Sequence, residues 1–182
     1  MKLYSKKGDR GRTSLFSGRK ASKADPRVTA VGELDELSAS LGFARLGYPP
    51  SGGVLGPVQR QLYSISAIIS AEGRRPELAF DPTAIQHLEH EIDRISDALS
   101  PLRDFIFPGE AEASCRLHLA RAVARRAERN VSVLTDPEPS NDVLAYLNRL
   151  SDLLFALARE ADHRDGKADV ELKSELEQLT AQ

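Results

Sequence analysis

Apolar residues return every three or four positions through most of the chain, the spacing of one face of an α-helix. Five stretches show it. In the first, Ala30, Leu34, Leu37, Leu41 and Ala44 follow Asp25-Pro26, an N-cap with proline at the first helical position. Gly47 and the run Pro49-Pro50-Ser51-Gly52-Gly53 end it. The second sets Leu55, Val58, Leu62, Ile65 and Ile69 on one face and stops near Gly73. The third starts at Asp81-Pro82 and carries Ile85, Leu88, Ile92, Ile95, Leu99 and Leu102. A connector, Asp104-Phe105-Ile106-Phe107-Pro108-Gly109, leads to the fourth, with Ala113, Leu117, Ala120, Ala124, Ala127, Val131 and Leu134. The fifth follows Pro139-Ser140 with Val143, Leu147, Leu150, Leu154, Leu157 and Ala161, and Gly166 closes it. Val170 to Leu179 adds a short tail helix. No strand-like alternation competes, so the pattern predicts an all-α fold, an up-and-down bundle of five helices with a four-helix-bundle-like core.

Ahead of the helices, residues 1–24 have no apolar period. Gly8, Gly11 and Gly18 stand among Lys6, Lys7, Arg10, Arg12, Arg19, Lys20 and Lys23, a Gly/Lys-rich arm that reads as an ordered loop or a flexible segment. The expected organisation is one domain: arm 1–24, bundle 25–161, tail 162–182. The full 182 residues, 41% hydrophobic and 29% charged, fit a single globular unit with a real core. A net charge of -2 offers no electrostatic case for nucleic acid or membrane. Cys115 is the one cysteine, which rules out an internal disulfide and fits a reducing compartment. No apolar run approaches the roughly 20 residues that span a bilayer, and no secretory h-region opens the chain. A cytoplasmic protein is expected.

Candidate chemistry concentrates on the fourth helix. One helical step from its apolar seam runs a second stripe, His118, Arg121, Arg125 and Glu128, with Arg126 and Arg129 beside it. Two arginines on one edge form either a bidentate anion clamp or a solvated basic face. On the fifth helix, Asn148 lies beside Arg149 and Asp152 and serves either to read an adenine edge or ribose hydroxyl, or to fix bundle register. Asp35 shares a stripe with Val28, Val31, Ser38 and Gly42. A carboxylate there calls for a partner, and an arginine of the fourth helix is the candidate, within the chain or across subunits. In the arm, glycines free backbone N–H groups for phosphate oxygens, lysines neutralise them, and Asp9 or a hydroxyl can hold Mg²⁺. It is not a Walker A loop. His87 and His90 read as surface residues, and Glu160-Ala161-Asp162-His163, the one Glu-x-x-His pattern of a di-iron bundle, falls at a helix end expected to fray.

Four ordered motifs resemble the PduO-type ATP:cob(I)alamin adenosyltransferases, over about Leu3 to Glu160. They are the segment from Tyr4 to Leu15; Ser22-Lys23-x-Asp25-x-Arg27-x-x-Ala30-x-Gly32-x-x-Asp35-Glu36-Leu37; Phe105-Ile106-Phe107-Pro108-Gly109 leading to the run from His118 to Arg129; and Tyr146-Leu147-Asn148-Arg149-Leu150-Ser151-Asp152. The resemblance implies a homotrimer with ATP and cob(II)/cob(I)alamin in clefts between subunits. It implies an arm that wraps the triphosphate through Lys6, Lys7, Gly8, Asp9, Thr13, Ser14 and Lys23, with Mg²⁺. Arg121, Arg125, Glu128 and Asn148 complete the nucleotide site. Asp35 pairs with Arg121 across the subunit interface, and Phe105 faces the lower side of the corrin. A cobalamin-dependent mutase or dehydratase and a reductase are the implied partners; no protein-bound metal centre is implied.

The chain departs from the family pattern in places. The usual Thr-Lys-Thr-Gly-Asp is Ser5-Lys6-Lys7-Gly8-Asp9, the usual Gly-Gly is Ser17-Gly18, and the arginine that follows appears as Lys20 or is shifted to Arg19. Asp-Glu-Leu-Asn is Asp35-Glu36-Leu37-Ser38, and Pro-Gly-Gly is Pro108-Gly109-Glu110. These changes keep a second expectation open, a weak or inactive relative that binds and delivers ATP or adenosylcobalamin.

Overall fold

Each of the five periodic stretches is a helix in the computed structural model, which describes residues 4, 6, 8–74 and 78–172. They are α1 (Pro26–Gly47), α2 (Gly52–Ala71), α3 (Thr83–Ala98), α4 (Glu112–Ser132) and α5 (Asn141–Arg164), with a single 3-10 turn at Pro49–Ser51. The start signals act as the sequence suggests. The Asp25 carboxylate accepts from the Arg27 N–H at 2.9 Å, Asp81 from Thr83 N–H at 3.0 Å, and Ser140 Oγ from Val143 N–H at 3.3 Å.

The helices lie side by side in the order α2, α1, α4, α5, α3. This places α4 at the centre, between α1 and α5. Leu34, Leu37 and Leu41 of α1 meet Leu117, Ala120, Ala124 and Ala127 of α4 and Leu147, Leu150, Leu154 and Leu157 of α5, all fully buried. Each such leucine contributes about 2 kcal/mol by leaving water. The Arg149–Glu89 ion pair between α5 and α3, with its side chains 39% and 46% exposed, contributes roughly 0.5 kcal/mol. Apolar burial therefore holds the bundle, and charges tune it.

Three expectations need correction. The arm is not free of strands: β1 (Arg12–Ser14) and β2 (Lys20–Ser22) form a small antiparallel sheet with Thr13 opposite Ala21. Strands of three residues span too little sequence for alternation to register, and the hairpin is held by burying Leu15 and Ala21. Next, α3 ends at Ala98 rather than reaching Leu102, because Pro101 forces the preceding backbone extended. Finally, helix in the tail starts at Leu172 and not at Val170, with Val170 and Glu171 outside it. They run extended beside the connector, where Phe107 N–H donates to Val170 O at 2.9 Å and Leu172 N–H to Phe105 O at 2.8 Å. The rest of the expected tail helix lies outside the described residues.

The end of α5 is not frayed either. Asp162 is only 5% exposed, and its carboxylate accepts from the N–H groups of Glu110 and Ala111 at 3.1 and 2.8 Å and from Ser114 Oγ at 2.6 Å. No local side chain caps α4, so this residue from α5 does. The connector reaches that cap through Gly109 at φ 88, where a β-carbon would also overlap Cys115 Sγ. Replacing Asp162 with Ala leaves three donors unpaired and is expected to destabilise the fold by about 2–4 kcal/mol in a denaturant titration. An unchanged midpoint would remove Asp162 from the cap.

Candidate functional site

The α4 stripe sorts its arginines by where the helix turns them. Arg126 faces α1 and is neutralised by Glu33 at 2.6 Å and Glu36 at 2.5 Å. Arg121 and Arg125, on the other edge, have no carboxylate partner among the described residues. Arg121 is partly buried, its Nε is shielded from solvent and makes no hydrogen bond. Burial, and then the neighbouring charge of Arg125, lower its proton affinity below the ordinary guanidinium value. Two guanidinium groups so placed have the chemistry to clamp an anion.

Beside it a polar chain joins α4, α5 and α3. Asn148 Nδ2 donates to Glu128 Oε1 at 3.1 Å, and Asn148 Oδ1 accepts from Arg149 at 2.9 Å. Arg149 also donates to Glu89 at 3.1 Å and Asp152 at 3.3 Å. The Asn148 amide is thus fixed in orientation and still keeps one N–H and one lone pair for a ligand.

The structure does not join Asp35 to Arg121 within the chain. Asp35 is exposed, not buried, so no desolvation cost demands an internal partner. It lies in a groove of ≈ 420 Å³ between α1 and α2, lined by Val28, Val31, Leu62 and Tyr63, while Glu33 and Glu36 turn toward Arg126 on the other side of α1. Phe105 projects from the connector with 81% of its surface exposed. Its backbone is tied down, its N–H to Asp104 Oδ1 at 2.7 Å and its carbonyl to Leu172.

The arm residues form a second group. Gly11 N–H donates to Gly8 O at 3.2 Å, and Lys23 N–H to Gly11 O at 2.9 Å. A β-carbon on Gly8 would sit 3.5 Å from Lys23 Nζ, so the ammonium lies against this glycine turn. Asp9 and Lys6 are exposed at its rim, Thr13 is half-buried on β1, and Ser14 Oγ accepts from Lys20 Nζ at 2.5 Å. Lys7 lies outside the described residues. No hydrogen bond or ion pair joins this group to Arg121, Arg125, Glu128 or Asn148 among the described residues.

Other features escaped the sequence. His118 is 5% exposed, packs edge-on to Phe155 at 5.9 Å, and neither ring nitrogen has a partner. Its place on the stripe was visible; its burial was not, because α5 and Phe155 supply it. Glu72, just past α2, gathers Ser17 and Arg19 of the arm, a long-range contact with no periodic signal. His87 and His90 are exposed, as expected, at the mouth of a cavity of ≈ 320 Å³ between α2 and α3 that holds none of the candidate site residues. Among the described residues no group of three or more His, Cys, Asp or Glu could hold a metal ion.

The geometry meets a known family here. A profile of the family described as cobalamin adenosyltransferase matches residues 3–161, and the chain belongs to that family. It is 42% identical over 169 residues to the corrinoid adenosyltransferase PduO of Citrobacter freundii, covering 90% of this chain and 50% of that protein. It is 36% identical to the corrinoid adenosyltransferase of Bacillus subtilis, covering 94% of this chain and 92% of that one. The chain thus spans about half the length of PduO and nearly all of the Bacillus relative. A variant PduO-type ATP:corrinoid adenosyltransferase from Lactobacillus reuteri, complexed with cobalamin and ATP, superposes with TM-score 0.87 at 32% identity, covering 93% of this chain and 96% of that one.

His118 carries a pH signature. Burial first, and Arg121 next, lower its pKa from 6.5, so the folded state stays neutral where the unfolded chain takes up a proton. Stability is expected to be flat above pH 6.5 and to fall as pH drops below it. In His118→Gln that decline, read from melting temperature between pH 7 and 5, is expected to shrink. An identical slope in both proteins would contradict the assignment.

Proposed function

We propose that the chain is an ATP:corrinoid adenosyltransferase, moving the 5′-deoxyadenosyl group of ATP to the reduced cobalt of cobalamin with release of triphosphate. The observation that carries it is the Arg121–Arg125 pair: two adjacent cations with no carboxylate partner among the described residues, beside an oriented Asn148, in a member of this family. Reduced corrinoid is itself the nucleophile. Its cobalt supplies the electron pair that forms the bond to C5′ of ATP, and the C5′–O bond breaks with its electrons leaving on triphosphate. No general base is required. The residues hold the two substrates in line and stabilise charge on the departing phosphates.

The roles divide accordingly. Lys6, Lys7, Gly8, Asp9, Thr13, Ser14 and Lys23 of the arm, residues 1–24, take the triphosphate, while Arg121 and Arg125 meet charge as it grows. Glu128 and Asn148 bind the nucleoside end. Phe105, exposed on a fixed backbone, supplies an apolar wall to the lower face of the corrin. With no protein metal cage among the described residues, Mg²⁺ fits as a companion of the phosphates, with Asp9 or an arm hydroxyl completing its ligands.

Asp35 in its groove fits Arg121 of another copy, which supports a homotrimer with the site shared between subunits. A reductase and a cobalamin-dependent mutase or dehydratase would supply and use the substrates. The lone cysteine suits a cytoplasmic setting, and no described helix is long and apolar enough to cross a membrane. The altered arm favours a second reading, a binding and delivery protein without turnover.

Anaerobic assay with ATP, Mg²⁺ and chemically reduced cob(I)alamin decides between them. The cobalt–carbon product is expected in the corrin spectrum, and Arg125→Ala is expected to slow it about 100-fold or more. Tight binding of ATP without product would leave the delivery reading.

A further inference from the structure

The arm carries most of the proposed triphosphate contacts, yet its sheet pairs only three residues on each side. A ribbon that short does not hold an orientation in water unaided. Besides the burial of Leu15 and Ala21, what fixes it is a set of polar contacts at the C-terminal end of α2. The Ser17 N–H donates to Ser70 O at 3.0 Å, the Ser17 hydroxyl to Glu72 Oε2 at 2.5 Å, and Arg19 Nε to Glu72 Oε1 at 2.7 Å. The far end of the Arg19 guanidinium reaches Asp25 Oδ2 at 3.1 Å, on the residue that caps α1. Buried Arg27 stands 3.9 Å from Glu72 Oε1 and donates to the carbonyls of Ile69, Asp136 and Pro137. One carboxylate thereby ties the hairpin turn to the end of α2 and faces the start of α1.

The backbone at this hub is also unusual. Glu72 is left-handed, at φ 51 and ψ 51, a conformation in which glycine is the easier residue. The chain keeps a glutamate there, and its carboxylate meets Ser17, Arg19 and Arg27. Hydrogen bonds from Arg19 and then Ser17 hold that carboxyl below its usual range, so it is charged at neutral pH.

We propose that Glu72 is a positioning residue for the nucleotide arm, holding the hairpin so that Gly8 to Thr13 and Lys23 face the triphosphate before ATP arrives. This rests on the nucleotide role given to the arm above. With the arm oriented beforehand, less conformational freedom is lost when ATP binds. The signature is therefore in ATP affinity and not in the chemical step.

Glu72→Gly separates this role from a merely structural one, because it deletes the carboxylate while relieving the left-handed backbone. Its melting temperature is expected to stay within a few degrees of the parent. KM for ATP is expected to rise about tenfold, with kcat at saturating ATP and KM for cob(I)alamin changed less than about twofold. Glu72→Gln, which keeps an acceptor but loses the charge, is expected to fall between. Without ATP, trypsin is expected to cut the arm at Arg10 or Arg12 faster in Glu72→Gly than in the parent. An unchanged KM for ATP, or a fall in kcat alone, would overturn the assignment. If the parent neither bound ATP nor turned over, the proposed function would fail instead, and the trypsin rates would still decide whether Glu72 orders the arm.

Discussion

A partly buried guanidinium with no carboxylate partner among the described residues is the constraint on which the arrangement of this protein turns. Arg121 stands on α4 with its Nε shielded and unpaired and with Arg125 beside it. Leaving such a donor unsatisfied costs about 1–3 kcal/mol. The fold tolerates that because α4 is packed on two sides by α1 and α5, where apolar burial far exceeds the penalty. The same packing fixes which edge of α4 remains open. Arg126, one residue on from Arg125, shows the contrast: it is turned toward α1 and meets two glutamates.

The candidate residues are set in place by contacts between parts far apart along the chain. Asp162 of α5 caps α4 and so sets where the connector with Phe105 leaves the bundle. Asn148 is held by Glu128 and Arg149, which makes it an oriented amide in place of a mobile one. The arm is latched at Glu72 and Asp25. Each anchor is polar and nearly saturated with partners, while Arg121, Arg125 and the outward Phe105 are not.

The helices were legible because an apolar residue every three or four positions has one common solution in a globular chain, and Asp25, Asp81 and Ser140 marked their starts. The stripe from His118 to Glu128 was legible for the same reason. What failed was non-periodic or long-range. Three-residue strands carry too few positions to alternate, and the cap of α4 comes from a residue read as a fraying terminus. The spacing suggested a partner for Asp35, but the sequence could not say that its own chain leaves it exposed in the groove between α1 and α2, away from Arg121. The family resemblance supplied that pairing between subunits; nothing in the spacing did.

Whether two copies of the chain build one site is the central question, and subunit mixing answers it most directly. Asp35→Ala and Arg121→Ala chains carrying different tags would be co-expressed, purified through both tags and assayed anaerobically with ATP and cob(I)alamin. Each variant alone should retain under about a tenth of parent activity, by loss of a charged pair. The mixed assembly should recover a substantial part of it, because some interfaces then hold an intact Asp35 opposite an intact Arg121. Mixed assemblies no more active than either variant alone would contradict a site shared between subunits.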